Sequence, residues 1–402
     1  MTQPPIPRPV KIFVLLILLV GGWSFRVRAQ ELKHEVRVVN IEVPVRVFRG
    51  TAFVETLRLD DFELRENGVL QTIDAVYLVK KTAVARQEGA PAKAPRTARH
   101  FVLLFELTEF LPEIERVLDH FFERVIEPQD ELIIVTPLKT YRMRSDSLAR
   151  MPKARIEEQL LDTLRADIMM GSSEYRNALR ELNQVMASDL PFDQKLQQYG
   201  TYRDRLENLR RVDEKKLVQF ASILKEKDGP KYAFLFYQKE LVPKISLQNQ
   251  QMLMDTNLDR MDIVFSILEE FDYDKRDIRF DVTAVKQAFS DSSISVHFLF
   301  LTKTRGGDFD VEDMIPSEMT MTEKSEDIYG AFREIAAATG GITVSSANIS
   351  ASFLRAMDAA ENYYLLYYTP KDYRPDGSFR DLKVTVKTGK YNISHRVGYF
   401  AR

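Results

Sequence analysis

The residues with the most chemical potential lie in "HFVLLFELTEF", His100 to Phe110, where an apolar, strand-like run passes into Glu106, Thr108 and Glu109 ahead of a helical pattern. Carboxylates and a hydroxyl at the C-terminal end of a buried strand are hard oxygen donors, the set that suits Mg²⁺ or Ca²⁺. Whether this turn is a metal site or the remains of one depends on what other loops bring to it. Few other groups compete. His34, His100, His120, His297 and His395 are scattered singly, with no His-x-x-x-His pair, and strand-edge or surface positions are expected for them. Cysteine is absent, which excludes disulfides and thiolate ligands. There is no Gly-x-Ser-x-Gly elbow, phosphate-binding glycine loop or dinucleotide fingerprint, so neither a nucleophile nor a cofactor cradle is signalled and a non-enzymatic role is expected.

Other conspicuous residues have structural readings. Asp60-Asp61 and Asp272 with Asp274 read as charged surface. Thr339 to Gly341 follows a helical pattern where glycine lets a helix end, and the tyrosines of "NYYLLYYTP" suit a packed strand. Asn348 and Asn392 each begin "NIS", which matters as a glycosylation acceptor only in a eukaryotic secretory route.

These residues need elements to position them. A chain of 402 residues exceeds what one core usually organises, so two folding units, or one with large insertions, are expected. With 57 basic against 59 acidic side chains, the formal charge of -2 gives no reason to expect nucleic acid as a partner. The N-terminus carries Arg8 and Lys11, then "IFVLLILLVGG", then "RVRAQE", the order of a secretory signal, with cleavage expected after Ala29 and an uncleaved membrane anchor as the alternative. Removing residues 1–29 takes away four basic and no acidic groups, from -2 to -6.

Ile41, Val43, Val45 and Val47 alternate with polar residues, and Asn67-Gly68 sits between two strand-like runs, the signature of an antiparallel hairpin. A stretch rich in Ala, Pro and charge, residues 83–98, reads as a linker. The C-terminus returns to strands with turns at Asp376-Gly377 and Gly389, and pairing of these with the N-terminal strands would bury both. Between them "HFVLLFEL", "DELIIVTP", "KYAFLFY" and "ISVHFLFL" alternate with helical patterns, including one face of Ile114, Val117, Leu118, Phe121, Phe122 and Val125. This implies a parallel sheet buried on both sides. A helical excursion spans about 155–227. In it Tyr199, Tyr202, Leu206, Leu209, Leu217, Phe220 and Leu224 approach heptad spacing, and one continuous helix over 192–227 would reach roughly 50 Å.

Taken together, "LLFELTEF", "GSSEYRNAL", "KYAFLFYQKE", "ATGG", "YYLLYYTP", "DGSFRDLKVTV" and "RVGYF", with "LDDFELRENGVLQTI" before them, resemble the von Willebrand factor A-related secreted bacterial proteins of acidobacterial type. The resemblance covers most of Val36 to Phe400, apart from the helical excursion. It implies an α/β fold: a Rossmann-like von Willebrand factor A-type domain with a long helical insertion, plus a β-sandwich formed by the N- and C-terminal strands. The organisation expected is a signal peptide at 1–29, sandwich strands at 30–82, a linker at 83–98, the A-like domain at 99–360 and closing strands at 361–402. An exported protein, secreted or periplasmic, that binds a protein partner is implied. The alternative is an envelope-tethered scaffolding component.

Many A domains hold a divalent cation between three loops. By that resemblance Glu106 stands at the first Asp, Thr108 at the first Ser, Phe110 at the second Ser, Ser173 at the Thr, and Gln238 at the Asp of the third loop. Glu109 and Glu240 are nearby carboxylates off the expected positions. Mg²⁺ demands ligands at about 2.1 Å in near-octahedral array. Glu for Asp lengthens one ligand, Gln for Asp removes a charge, and Phe110 offers nothing, so a degenerate metal-ion-dependent adhesion site is expected, with Ca²⁺ the better fit to any irregular shell.

Overall fold

The computed structural model describes residues 39–90, 95–96, 98–272, 280–301, 319–323, 325–346 and 348–402. The stretch expected to direct export, its expected cleavage point, His34 and Asp274 lie outside the described residues. Among those described, no helix is long and apolar enough to cross a membrane.

The chain opens with β1 (Ile41–Arg49), β2 (Ala52–Phe53), β3 (Phe62–Glu66), β4 (Val69–Gln71), β5 (Ile73–Lys80) and β6 (Ala83–Gly89). All four alternating residues of β1, from Ile41 to Val47, are buried. The β3–β4 hairpin turns on Asn67 and Gly68, both at positive φ (47° and 82°), as its two-residue loop requires. The stretch read as a linker from residue 83 begins instead as a strand: β6 pairs antiparallel with β5. Its side chains are mostly exposed, so its apolar pattern is weak and backbone pairing holds it as a sheet edge.

The middle of the chain runs β7 (His100–Glu106), α1 (Glu113–His120, continued by a wider turn over Phe121–Val125), β8 (Glu131–Val135), β9 (Thr140–Met143), α2 (Ser145–Arg150), α3 (Lys153–Gly171), α4 (Ser173–Ala187), α5 (Phe192–Leu209), α6 (Glu214–Lys225), β10 (Lys231–Gln238), β11 (Leu241–Ile245), α7 (Leu247–Thr256), α8 (Met261–Asp272), α9 (Val282–Asp291), β12 (Ile294–Leu301), β13 (Met319–Glu323), α10 (Glu326–Ala338), β14 (Thr343–Ser346) and α11 (Ile349–Glu361). One sheet has the order β14-β12-β10-β7-β8-β9, parallel except for the edge strand β9. Every residue of β10 and β12 is buried, because α1, α3 and α11 cover one face and α6, α9 and α10 the other.

The helical excursion is not one rod. The chain turns at Arg210–Asp213, and the heptad-like residues divide there. Tyr199 and Leu206 pack on α4, whereas Leu217, Phe220 and Leu224 pack against the parallel sheet. The turn thereby comes back to the sheet's edge.

The chain closes with β15 (Asn362–Tyr368), β16 (Phe379–Val386), β17 (Asn392–His395) and β18 (Gly398–Phe400). The two ends of the chain do pair: β15 lies between β1 and β5, β17 adds to β1, and β16 pairs with β3. Two antiparallel sheets, β17-β1-β15-β5-β6 and β18-β16-β3-β4, share an apolar core of Val43, Val45, Leu64, Tyr364, Leu366 and Val384. The six residues from Tyr363 to Tyr368 are all buried, so those tyrosines are packing residues.

Val39–Arg402 forms one compact unit, and arginines join its parts. Arg46 on β1 is buried, donating through Nη1 to the Gly340 carbonyl at 3.0 Å and through Nη2 to Ser295 Oγ at 3.2 Å. Ser394 Oγ also donates to the Gly340 carbonyl at 2.6 Å. Arg396 donates to the Ser290 carbonyl of α9 at 3.4 Å and, within the chain-end strands, to the Glu42 carbonyl at 2.6 Å, and the Val397 amide donates to the Ala338 carbonyl at 2.8 Å. Thr339–Gly341 therefore does more than end α10. Gly340 takes φ +76° and offers its carbonyl to the seam, while a Cβ on Gly341 would fall 1.9 Å from the Val296 carbonyl oxygen. His297, expected near an edge or surface, is instead fully buried in β12, stacked on Phe234 at 4.8 Å between ring centroids. Burial first, and the nearby charge of Arg46 second, push its pKa down to about 3, so it is neutral at physiological pH.

Replacing Arg46 with Met keeps bulk but removes both seam donors. We expect a loss of about 2 to 3 kcal/mol in urea unfolding. A change below about 0.5 kcal/mol would show that the seam bonds add no stability.

Candidate functional site

The site lies where β7 and β10 end, because loops at the C-terminal edge of a parallel sheet are the ones free to carry function. Strand alternation sends Val102, Leu104 and Glu106 to one face of β7. On β10, Phe234, Phe236 and Gln238 take the opposite face, whose apolar members belong to the other core. Glu106 and Gln238 therefore project to different sides of the sheet.

Gln238 is committed to the first loop. Its Oε1 accepts from the Thr108 amide at 3.0 Å and the Glu109 amide at 3.3 Å, and its Nε2 donates to Glu109 Oε1 at 3.0 Å. Thr108 is also held from the other side. Its carbonyl accepts from Ser172 Oγ at 2.7 Å and from Arg176 Nη1 at 2.9 Å, and Arg176 bonds the Ser172 hydroxyl and the Met169 carbonyl as well. Burial lowers the pKa of Arg176, and its like-charged neighbour Arg180 acts in the same direction.

Ser173, the residue matched to the second-loop Thr, turns back to donate to the Met170 carbonyl at 2.6 Å, and its neighbour Ser172 makes the contact with the first loop. Gly171 lets the end of α3 approach this closely, since a Cβ there would lie 2.6 Å from Pro137 Cβ. Phe110 packs against the core with the Arg165 guanidinium 4.9 Å from its ring centroid. The three loops thus meet through direct hydrogen bonds centred on the Thr108 backbone.

On the other face a cation is already present. Arg210, from the α5–α6 turn, donates through Nε to Glu240 Oε1 at 3.1 Å and lies 4.8 Å from the Tyr237 ring centroid. The two side chains are 8% and 4% exposed. Tyr237 also donates its hydroxyl to Glu240. Glu106 pairs in register with Tyr237 and feels the charge of Arg210. Its pKa is raised, chiefly by burial and further by Glu240, with Arg210 and Lys216 opposing. A buried guanidinium already matched to Glu240 puts positive charge where a divalent ion would need to approach Glu106.

Beneath Glu106 lies a cavity of about 690 Å³ between the sheet and α6, α9 and α10. Its walls include Leu104, Leu235, Val296, Phe289 and Leu217, and its mouth Glu106, Arg210, Lys216 and Asp213. Around this edge Leu138, Met169, Met170 and Leu209 are 44, 50, 58 and 38% exposed.

Sequence reasoning missed Arg210, Ser172 and Arg176. Ser172 and Arg176 stand in "GSSEYRNAL" one helical turn apart, a spacing that lets both address one carbonyl. Arg210 carries no local signal. A scan against protein-family models finds no match, and neither does a search of the curated proteins.

Two outcomes test this geometry. Gln238→Leu strands the Thr108 and Glu109 amides and is expected to cost about 1 to 3 kcal/mol, while Glu109→Ala, which leaves both amides bonded to Gln238 Oε1, costs less. Equal losses in chemical denaturation would refute that role. Because the Glu106 pKa is raised in the folded protein, the native state holds this proton more tightly than the unfolded chain, and stability falls as pH climbs through the raised pKa. Glu106→Gln is therefore expected to be more stable than the parent at neutral pH, the gain vanishing below the ordinary glutamate value of about 4.3. A difference constant from pH 4 to 8 would contradict it.

Proposed function

We propose that this chain is an exported, non-enzymatic protein of the von Willebrand factor A-related type, which binds a protein partner without a divalent cation. On this reading residues 99–360 form the Rossmann-like A-type domain, with the helical insertion folded back onto it. Residues 30–82 and 361–402 make up the β-sandwich that carries it, and 1–29 direct export. The parallel sheet order, the cover of helices on both faces and the pairing of the chain ends support this assignment.

The observation that carries the functional reading is the exposed apolar rim of Leu138, Met169, Met170 and Leu209 around the edge. Methionine adapts its shape to a partner, and apolar residues gathered beside loops at a sheet's C-terminal edge suit a contact surface. The lack of a cation requirement rests on the side chains. Gln238 is occupied in holding the first loop, Glu240 in pairing with Arg210, and Ser173 in a bond within its own chain. What remains of the donor set, Glu106 and Thr108, is too little for Mg²⁺ or Ca²⁺.

The test is site-specific photo-crosslinking from position 170 in the native host, with position 223, an exposed residue on α6, as control. A discrete protein adduct is expected from position 170 alone, unchanged by EDTA and reduced at least tenfold when Leu138 and Met169 are replaced by Ser. The reading fails if no adduct forms at position 170, or if chelation abolishes it.

A further inference from the structure

We propose that the outer edge of β9 takes up a segment of a partner protein as an added β-strand, and that this segment alternates acidic with apolar residues. The contact is separate from the apolar rim described above and is carried by other groups.

β9 ends the parallel sheet, and among the described residues no strand pairs with its outer side. Its register on β8 sets Tyr141 opposite Ile134 and Arg142 opposite Ile133. The Glu131 amide donates to the Arg99 carbonyl just ahead of β7, whereas the Thr136 amide donates to Lys139 on the β9 side. Odd-numbered residues of β8 therefore turn their backbone groups to β7 and even-numbered ones to β9, so Tyr141 and Met143 bond inward. The amides and carbonyls of Thr140 and Arg142 point outward, where another strand can meet them.

The two faces of this edge ask for different side chains. Tyr141 and Met143 turn toward α3, where they line a groove of about 300 Å³ with Met151, Ile156, Leu160 and Thr163. Ile156 and Leu160 are its buried part and Met151 is exposed. Alternation gives every second residue of an added strand to this groove, and an apolar side chain fits it. The others fall on the opposite face with Arg142 and with Arg144, which is still extended (φ −84°, ψ 157°). Both arginines are exposed, and among the described residues neither side chain makes an ion pair or a hydrogen bond. Lys139 and Arg150 flank them, against one acid between, Asp146. A second copy pairing edge to edge would set these arginines against their like, so the charge that guards the edge from self-association selects an acidic strand.

The experiment titrates residues 30–402, which contain the compact unit from Val39 onward, with an acetylated Glu-Val-Glu-Val-Glu-Val amide and its Lys-Val and Glu-Gly counterparts at pH 7.5. Calorimetry and site-resolved amide hydrogen exchange follow binding. Saturable binding of the Glu-Val peptide is expected, at least tenfold tighter than either counterpart. Exchange should slow at the Thr140 and Arg142 amides and change little at Tyr141 and Met143, which are already bonded. Reversing the charge with Arg142→Glu and Arg144→Glu should weaken the Glu-Val peptide at least tenfold and turn the preference to the Lys-Val peptide. Met151→Asp, a change at an exposed position, should weaken it by a similar factor. N-methylation of one alternate set of peptide amides should abolish binding and of the other set leave it, since an added strand uses one of its edges.

Equal binding of either counterpart, unchanged exchange at Thr140 and Arg142, or binding indifferent to the charge reversal, to Met151→Asp or to both methylation patterns overturns the proposal. So does a dimer seen by sedimentation without peptide that slows the same two amides, which would give the edge to a second copy. Because the peptide needs neither the rim nor a host partner, a failure of the crosslinking experiment leaves these readouts intact, and the converse holds.

Discussion

A loop that leaves the end of a parallel strand has backbone groups with no sheet neighbour, and something must satisfy them. Here the Thr108 amide is taken by Gln238 and its carbonyl by Ser172 and Arg176, side chains from two other segments of the chain. These hydrogen bonds tie the loop to both segments through groups, an amide and a hydroxyl among them, that do not titrate in the physiological range. Beside this loop a positive charge comes from Arg210, buried between Glu240 and Tyr237.

Arg210 reaches the edge only because the excursion folds back at Arg210–Asp213. The helices on either side have separate supports: α5 packs on α4 through Tyr199 and Leu206, and α6 on the sheet through Leu217 and Leu224. The insertion thus brings the site a counter-charge and one wall of the cavity beneath it. A second set of buried arginines, Arg46 and Arg396, anchors the parallel-sheet part to the strands from the chain ends through the Gly340 and Ser290 carbonyls. Both arrangements use the planar guanidinium to bond several oxygens from distant segments, which a lysine could not do from one position.

What was legible in the sequence is what local periodicity encodes. Val43, Val45 and Val47 announce a half-buried strand, Asn67-Gly68 a hairpin, and the unbroken apolar runs of β10 and β12 a sheet covered on both faces. Polar edge strands and helix breaks without Gly or Pro are less readable. Ala83–Gly89 looked like a linker because an edge strand needs no buried row, and Arg210–Asp213 gave no sign of a turn. His297 was misplaced because a histidine in an apolar run looks polar, whereas ring stacking on Phe234 lets it sit there neutral. At the site, Glu106, Thr108 and Gln238 could be found from the strand ends. Their partners could not, because Ser172 and Arg176 lie 64 and 68 residues from Thr108 and Arg210 lies 104 from Glu106, and only the fold brings them close.

The central claim is that the edge is held by hydrogen bonds and by Arg210 in place of a metal ion. Calorimetric titration of residues 30–402 with Mg²⁺, Mn²⁺ and Ca²⁺, beside a Glu106→Ala control, addresses it most directly. The account expects no saturable heat from any of the three ions. Stoichiometric binding that the control abolishes would contradict it, and would mean that Glu106 and its neighbours rearrange around an ion despite the guanidinium beside them.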